Sequence, residues 1–168
     1  LLGGTFDVQV DGRTTDLAVG IPQVDNIVPG TTQLSIGAAR DLEGITLRTF
    51  RLGSPVARVS AEGVIRSAGT RLSLSAALDD GTLVLPGLTG AHSLSLDAEG
   101  DGEAWTIRSA LTGPTLTGRV DGRVADLQTS PAFDGTVTLS AANLAPLAQP
   151  AGLPDRRGAA TLSLEGNV

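Results

Sequence analysis

The sequence predicts an all-β protein, and three observations carry that expectation. Apolar residues alternate with polar ones at period two along nearly the whole chain. Turn-forming dipeptides interrupt the alternation every ten residues or so. Aromatic residues make up only 2% of the 168 residues, while glycine contributes 22. Such small side chains suit a thin or extended shape better than a thick round core, which usually leans on large rings for its burial.

The alternation can be followed strand by strand. Phe6, Val8 and Val10 share one phase, and Leu17, Val19 and Ile21 follow at the same spacing. Leu34 with Ile36 and Ile45 with Leu47 come next. After Thr49 the phase slips by one, to Phe50 and Leu52, which predicts a bulge or a break. Further along, Ala57, Val59, Ala61, Gly63 and Ile65 fall on one face, as do Leu72, Leu74, Ala76 and Leu78. Leu83 and Leu85 suggest a short strand. Then come Leu94, Leu96 and Ala98; Trp105, Ile107 and Leu111; Leu116, Val120 and Val124; Phe133, Val137 and Leu139; and Leu162, Leu164 and Val168. Thr, Ser, Arg and Asp fill the opposite phase, and Thr is a good strand former on a wet face.

Asp11-Gly12, Asp80-Gly81, Asp101-Gly102, Asp121-Gly122 and Asp134-Gly135 are hairpin-type dipeptides, although some fall inside alternating runs and fit strand bulges as well. Two stretches lack alternation: 141–148, which suits a helical turn ended by Pro150 and Pro154, and Asp25 to Pro29. The phrases at 5–17 and 115–127 resemble each other, as do those at 135–144 and 158–168, a loose internal repeat of the kind found in stacked β architectures. With no Met and with alternation running to both ends, the chain reads as a single piece, 1–168, of a longer repetitive domain.

Composition excludes several functions. Without cysteine there are no disulfides and no thiolate metal sites. The net charge of −6 argues against nucleic acid, whose phosphates need clustered cations, and gives no polybasic surface for anionic lipid headgroups. The single His92 has no second histidine for a zinc set and reads as an exposed turn residue. Asp79, Asp80, Asp101 and Glu103 do not match a calcium loop and read as solvated hairpin tips. No nucleophile elbow and no phosphate loop occurs, so no catalytic residue, cofactor or metal is expected and the chain is not read as an enzyme.

What remains is a long series of one-sided apolar strands. A single sheet of about eleven strands would run on the order of 50 Å and leave a large apolar face to cover. A sandwich, a closed barrel, or a sheet folded over to shelter an apolar channel would each resolve this.

The segments 44–65, 105–127 and 141–168 resemble the TamB family, the inner-membrane subunits of the bacterial translocation and assembly module in the AsmA-like superfamily. The shared texture is strand, glycine turn and strand, then a Leu-Ala-Pro-Leu break at 144–147. The resemblance implies an elongated sheet folded over on itself, a β-taco, with an apolar interior groove. It implies a periplasmic location, with the full-length protein anchored in the inner membrane and meeting an Omp85-type barrel. The implied work is conducting phospholipids between the two membranes or assisting outer-membrane protein assembly. Its partners would be phospholipid acyl chains or client β-strands. The positions expected to line the groove are Val59, Ile65, Leu72, Leu74, Leu94, Leu96, Ile107, Leu111, Val120, Val124, Val137 and Leu139. The competing expectation is a structural β-solenoid or adhesin-type stalk with a dry core and no ligand. An Ig-like sandwich repeat ranks behind it, because Trp105 is the lone pin candidate and no cysteine pair exists.

Overall fold

A computed structural model describes residues 4–101, 103–125 and 132–141 with their side chains, and the backbone of a strand at 160–167. Ten strands lie in one sheet: β1 (Phe6–Thr15), β2 (Thr31–Arg40), β3 (Gly44–Gly53), β4 (Ala57–Arg66), β5 (Gly69–Leu78), β6 (His92–Gly100), β7 (Ala104–Thr112), β8 (Leu116–Ala125), β9 (Ala132–Ala141) and β10 (Ala160–Asn167). Their order in the sheet is their order in the chain, and each pair is antiparallel. More than half of the chain is strand, as period two predicts. Among the described residues helix is limited to one turn at Pro22–Asp25 (α1) and a 3₁₀ turn at Gly81–Leu83. No helix among the described residues is long and apolar enough to cross a membrane.

The antiparallel meander does not fit a β-solenoid, whose coils stack in parallel, and one sheet is not a sandwich. The sheet is open, with β1 and β10 as its edges, and every substantial strand contact is between sequence neighbours.

The phase slip in β3 is a bulge. Gly37 pairs with Thr49 and Ala38 with Leu47, so Arg48 is the extra residue. On the next strand Leu47 faces Gly63 and Phe50 faces Ala61. The bulge aims the Arg48 guanidinium across β2 at Asp7, which it grips with both terminal nitrogens, one at 2.8 Å. That bond holds the Asp7 carboxyl below its ordinary range and raises the guanidinium.

Three of the turn dipeptides lie inside strands instead. Asp11-Gly12 is within β1, Asp121-Gly122 within β8 and Asp134-Gly135 within β9. Packing explains the last two. Gly122 and Gly135 are directly opposite each other, and a Cβ on either would meet the Phe133 ring, at 2.6 and 2.9 Å. The ring thus lies over both glycines and covers backbone that they leave bare. Trp105 covers Gly100 in the same way.

Two other expected strands are connections. Leu17, Val19 and Ile21 follow Asp16, which adopts a left-handed conformation (φ 51°) and ends β1. Its carboxylate accepts from the Gly30 N–H at 2.9 Å, clasping the 16–30 loop at its base. α1 begins at Pro22, ahead of the break expected at Asp25–Pro29. Leu83 and Leu85 sit in the 79–91 loop, where Asp80 caps the 3₁₀ turn through the Thr82 N–H. The helical turn expected at 141–148 lies outside the described residues apart from Ala141, which ends β9.

The phrase repeat does not map onto the architecture either. It aligns β1 with β8 and β9 with β10, strands that run in opposite directions. The structural rhythm is four strands long: β1 and β5 are each followed by a long connection at the same end of the sheet, and Phe6, Gly69 and Ala132 open β1, β5 and β9 at equal intervals.

The largest fully buried side chains among the described residues gather at those two long loops. Val28 and Thr32 are almost fully buried, and Ala57 and His92 nearly so. Ser54 Oγ donates to the Ile27 carbonyl at 2.6 Å, and Asn26 Nδ2 donates to the Leu83 carbonyl at 3.1 Å, tying one loop to the other. His92 is therefore not an exposed turn residue. Its ring fills the space left by Gly81 and Gly113, with Nδ1 2.9 Å from the Gly90 carbonyl and Nε2 3.2 Å from Thr115 Oγ1. The chain-local sequence around His92 looks like a turn, but the 79–91 loop folds back over it.

Candidate functional site: one apolar face

Residues opposite each other in an antiparallel pair share a face. The register therefore defines rows that cross the sheet. One row runs Val10, Ile36, Phe50, Ala61, Leu74, Leu96, Ser109, Val120 and Val137. A second, on the same face, runs Leu34, Leu52, Val59, Ala76, Leu94, Leu111, Gly118 and Leu139.

All twelve residues singled out from the sequence fall on this face: Val59 and Ile65 on β4, Leu72 and Leu74 on β5, Leu94 and Leu96 on β6, Ile107 and Leu111 on β7, Val120 and Val124 on β8, and Val137 and Leu139 on β9. None of them is buried. Ile65 is 57% exposed, and Leu94 and Leu139 more than a third. The others are half-buried, shielded by their neighbours in the sheet and, among the described residues, not by a second layer.

The opposite face is polar and charged. Arg71 faces Glu99, and Arg108 faces Asp121 across β7–β8. Exposed pairs of this kind contribute little stability each, but they keep this face wet and so define which face is apolar. This face also holds a feature the sequence reading did not single out, an open hollow of about 730 Å³. It follows two rows of this face from β2 to β6, one of them Ser35, Arg51, Ser60, Ser75 and Ser95, with Ser60 and Ser75 bonded at 2.8 Å. Between them the backbone of Leu34, Leu52, Val59, Ala76 and Leu94, whose side chains belong to the apolar face, forms its floor. The signal for it was the recurrence of serine in the polar phase of β2, β4, β5 and β6.

The acidic turns serve the backbone. Asp41 accepts from the N–H groups of Glu43 and Gly44 at 2.8 and 2.9 Å, and Asp101 from those of Glu103 and Ala104 at 3.1 Å each. Asp80 accepts from Thr82 and Gly90. Backbone donors hold all three carboxyls below their ordinary range. Among the described residues no three metal-ligating side chains cluster. Because the folded values lie below the unfolded ones, the stability these groups add is present above about pH 4 and is lost as the pH falls through the folded values. Asp101→Asn should flatten that acid-side decline in melting temperature. Calcium should leave the melting temperature of the native chain unchanged; a clear rise, abolished by Asp101→Ala, would show a metal site at this turn.

The fold and this face define an all-β protein whose one antiparallel sheet is apolar on one side and polar on the other. No protein-family model, curated protein or solved structure matches the chain.

Proposed function

We propose that this chain is a non-catalytic segment of a periplasmic bridge, and that its apolar face carries phospholipid acyl chains between the inner and outer membranes. The observation that supports this best is an apolar face that crosses the sheet and, among the described residues, has no second layer over it. Monomeric soluble proteins rarely expose contiguous apolar patches larger than a few hundred Å², and larger ones mark interaction surfaces. Each acyl methylene that leaves water contributes about 0.8 kcal/mol, so a chain gains several kcal/mol with no specific contact. In this reading the sheet folds over its cargo as a β-taco, and its face becomes the groove. The full-length protein is anchored in the inner membrane and meets an Omp85-type barrel at the outer membrane.

A second reading is favoured by one observation. Strand β1 is a free edge of ten residues without proline, and Phe6, Val8 and Val10 on it are each more than 40% exposed. Such an edge can template a client β-strand during outer-membrane protein assembly.

Native mass spectrometry of the protein purified gently from cells tests the first reading. Phospholipid should co-purify, and a photo-crosslinker at position 96 should label it. Lipid-free protein with crosslinks to polypeptide alone would favour the strand-templating reading.

A further inference from the structure

The two ends of the apolar face differ. At one end the 16–30 and 79–91 loops are tied down by Asn26 and Ser54 over buried Val28, Thr32 and His92. At the other end the connections β2–β3, β4–β5 and β6–β7 are tight hairpins of two or three residues, and Ile45 and Ile65 stay exposed. An amphiphile on this face must therefore put its polar head at the hairpin end. The distance from the looped rim to the hairpin rim is four two-residue steps, about 27 Å. That exceeds the acyl depth of one leaflet, about 15 Å of a 30 Å hydrocarbon core.

A single charged side chain is placed on the apolar face of the strands by the register, among the described residues. It is Arg40, the last residue of β2, between Phe6 and Ile45 at the open hairpin rim. A guanidinium on an apolar face is costly unless its head reaches water or an anion. The acidic neighbours are committed elsewhere: Asp41 to the backbone of its turn, and Glu43 to Arg66. None of the ion pairs among the described residues includes Arg40.

We infer that Arg40 receives the phosphate of a glycerolipid whose acyl chains lie along the strands with the head at the hairpin rim. This rests on the reading of the face as an acyl-chain surface. Guanidinium suits the role because its planar fork matches phosphate oxygens and stays charged at any physiological pH.

Native mass spectrometry with two lipids of equal chains, below their micellar concentrations, tests it: dioctanoyl phosphatidylglycerol and uncharged dioctanoylglycerol. The protein should bind the phosphatidylglycerol about tenfold more tightly, the worth of one charge-assisted contact. Arg40→Gln should bind both lipids as the native chain binds dioctanoylglycerol, and Arg40→Lys should keep part of the preference. Arg51→Gln, on the polar face, should keep all of it. Equal binding of the two lipids by the native chain, or a preference that survives Arg40→Gln, overturns the role of Arg40 and leaves the acyl-chain surface standing. A preference abolished by Arg51→Gln, or displacement of lipid by millimolar inorganic phosphate, also overturns it. Failure to bind either lipid removes the acyl-chain reading itself, and this inference with it.

Discussion

Leu96→Asp should abolish lipid labelling while leaving the protein folded. Leu96 lies mid-strand on β6 between Leu74 and Ser109, in the row through the centre of the apolar face, and it is half-buried. A carboxylate there would be stripped of water by an acyl chain, and desolvating an unpaired charge costs several kcal/mol. That exceeds what a few methylenes return, so acyl occupancy near position 96 should fall by tenfold or more. With no lipid present the carboxylate reaches solvent, because among the described residues no second layer covers this face. The loss to folding is then limited to the half-buried leucine, on the order of 1–2 kcal/mol, or a few degrees in melting temperature for a chain of this size. Circular dichroism on Leu96→Asp, paired with photo-crosslinking from position 74, opposite Leu96 in the same row, with Leu and with Asp at position 96, checks both halves. An unfolded mutant together with no lipid adduct would mean a dry core at this position and would sink the acyl-chain model.

The second large effect is on stability. Gly44→Ala should lower the melting temperature by several degrees, more than any single change on the polar face. Gly44 closes the β2–β3 hairpin, donating its N–H to Asp41 and accepting the Asp41 N–H at 3.0 Å. Its φ is 155°, a value that L side chains rarely adopt, and a Cβ there would lie 2.0 Å from the Ile65 carbonyl oxygen. That oxygen is backbone held in the β3–β4 ladder and cannot swing aside as a flexible side chain would. Relief requires prising the hairpin from β4, at a cost of about 2–4 kcal/mol. At roughly 2–4 °C per kcal/mol for a chain of this length, the shift is easily measured. An unchanged melting temperature would mean that the hairpin accommodates a side chain by a different turn.

The apolar face was legible because period two is a local property. Each strand reports its own phase, and a phase maps directly onto a face once the strand is paired. For this reason Val59, Leu74, Leu96, Ile107, Val120 and Val137 could be grouped before any partner was known. The bulge was legible for the same reason, since one extra residue inverts the phase after Arg48. Residues whose surroundings come from distant segments were misread. His92 sits beside Gly90 and Ser93 in sequence, yet its burial depends on Gly81, Gly113 and Thr115. Asp121-Gly122 and Asp134-Gly135 carry the chemistry of a turn, yet the pairing of Gly122 with Gly135 beneath the Phe133 ring keeps both inside strands.

Strand content and the apolar phase of each strand were thus set by residue order alone, because alternation acts over a few neighbouring positions. The pairing of ten strands as one meander, the gathering of the long loops at one end and the isolation of Arg40 at the other were decided only in three dimensions. Register and loop direction depend on which strand lies beside which. A period of two repeated along the chain fits many such arrangements, and only the packed backbone selects one of them.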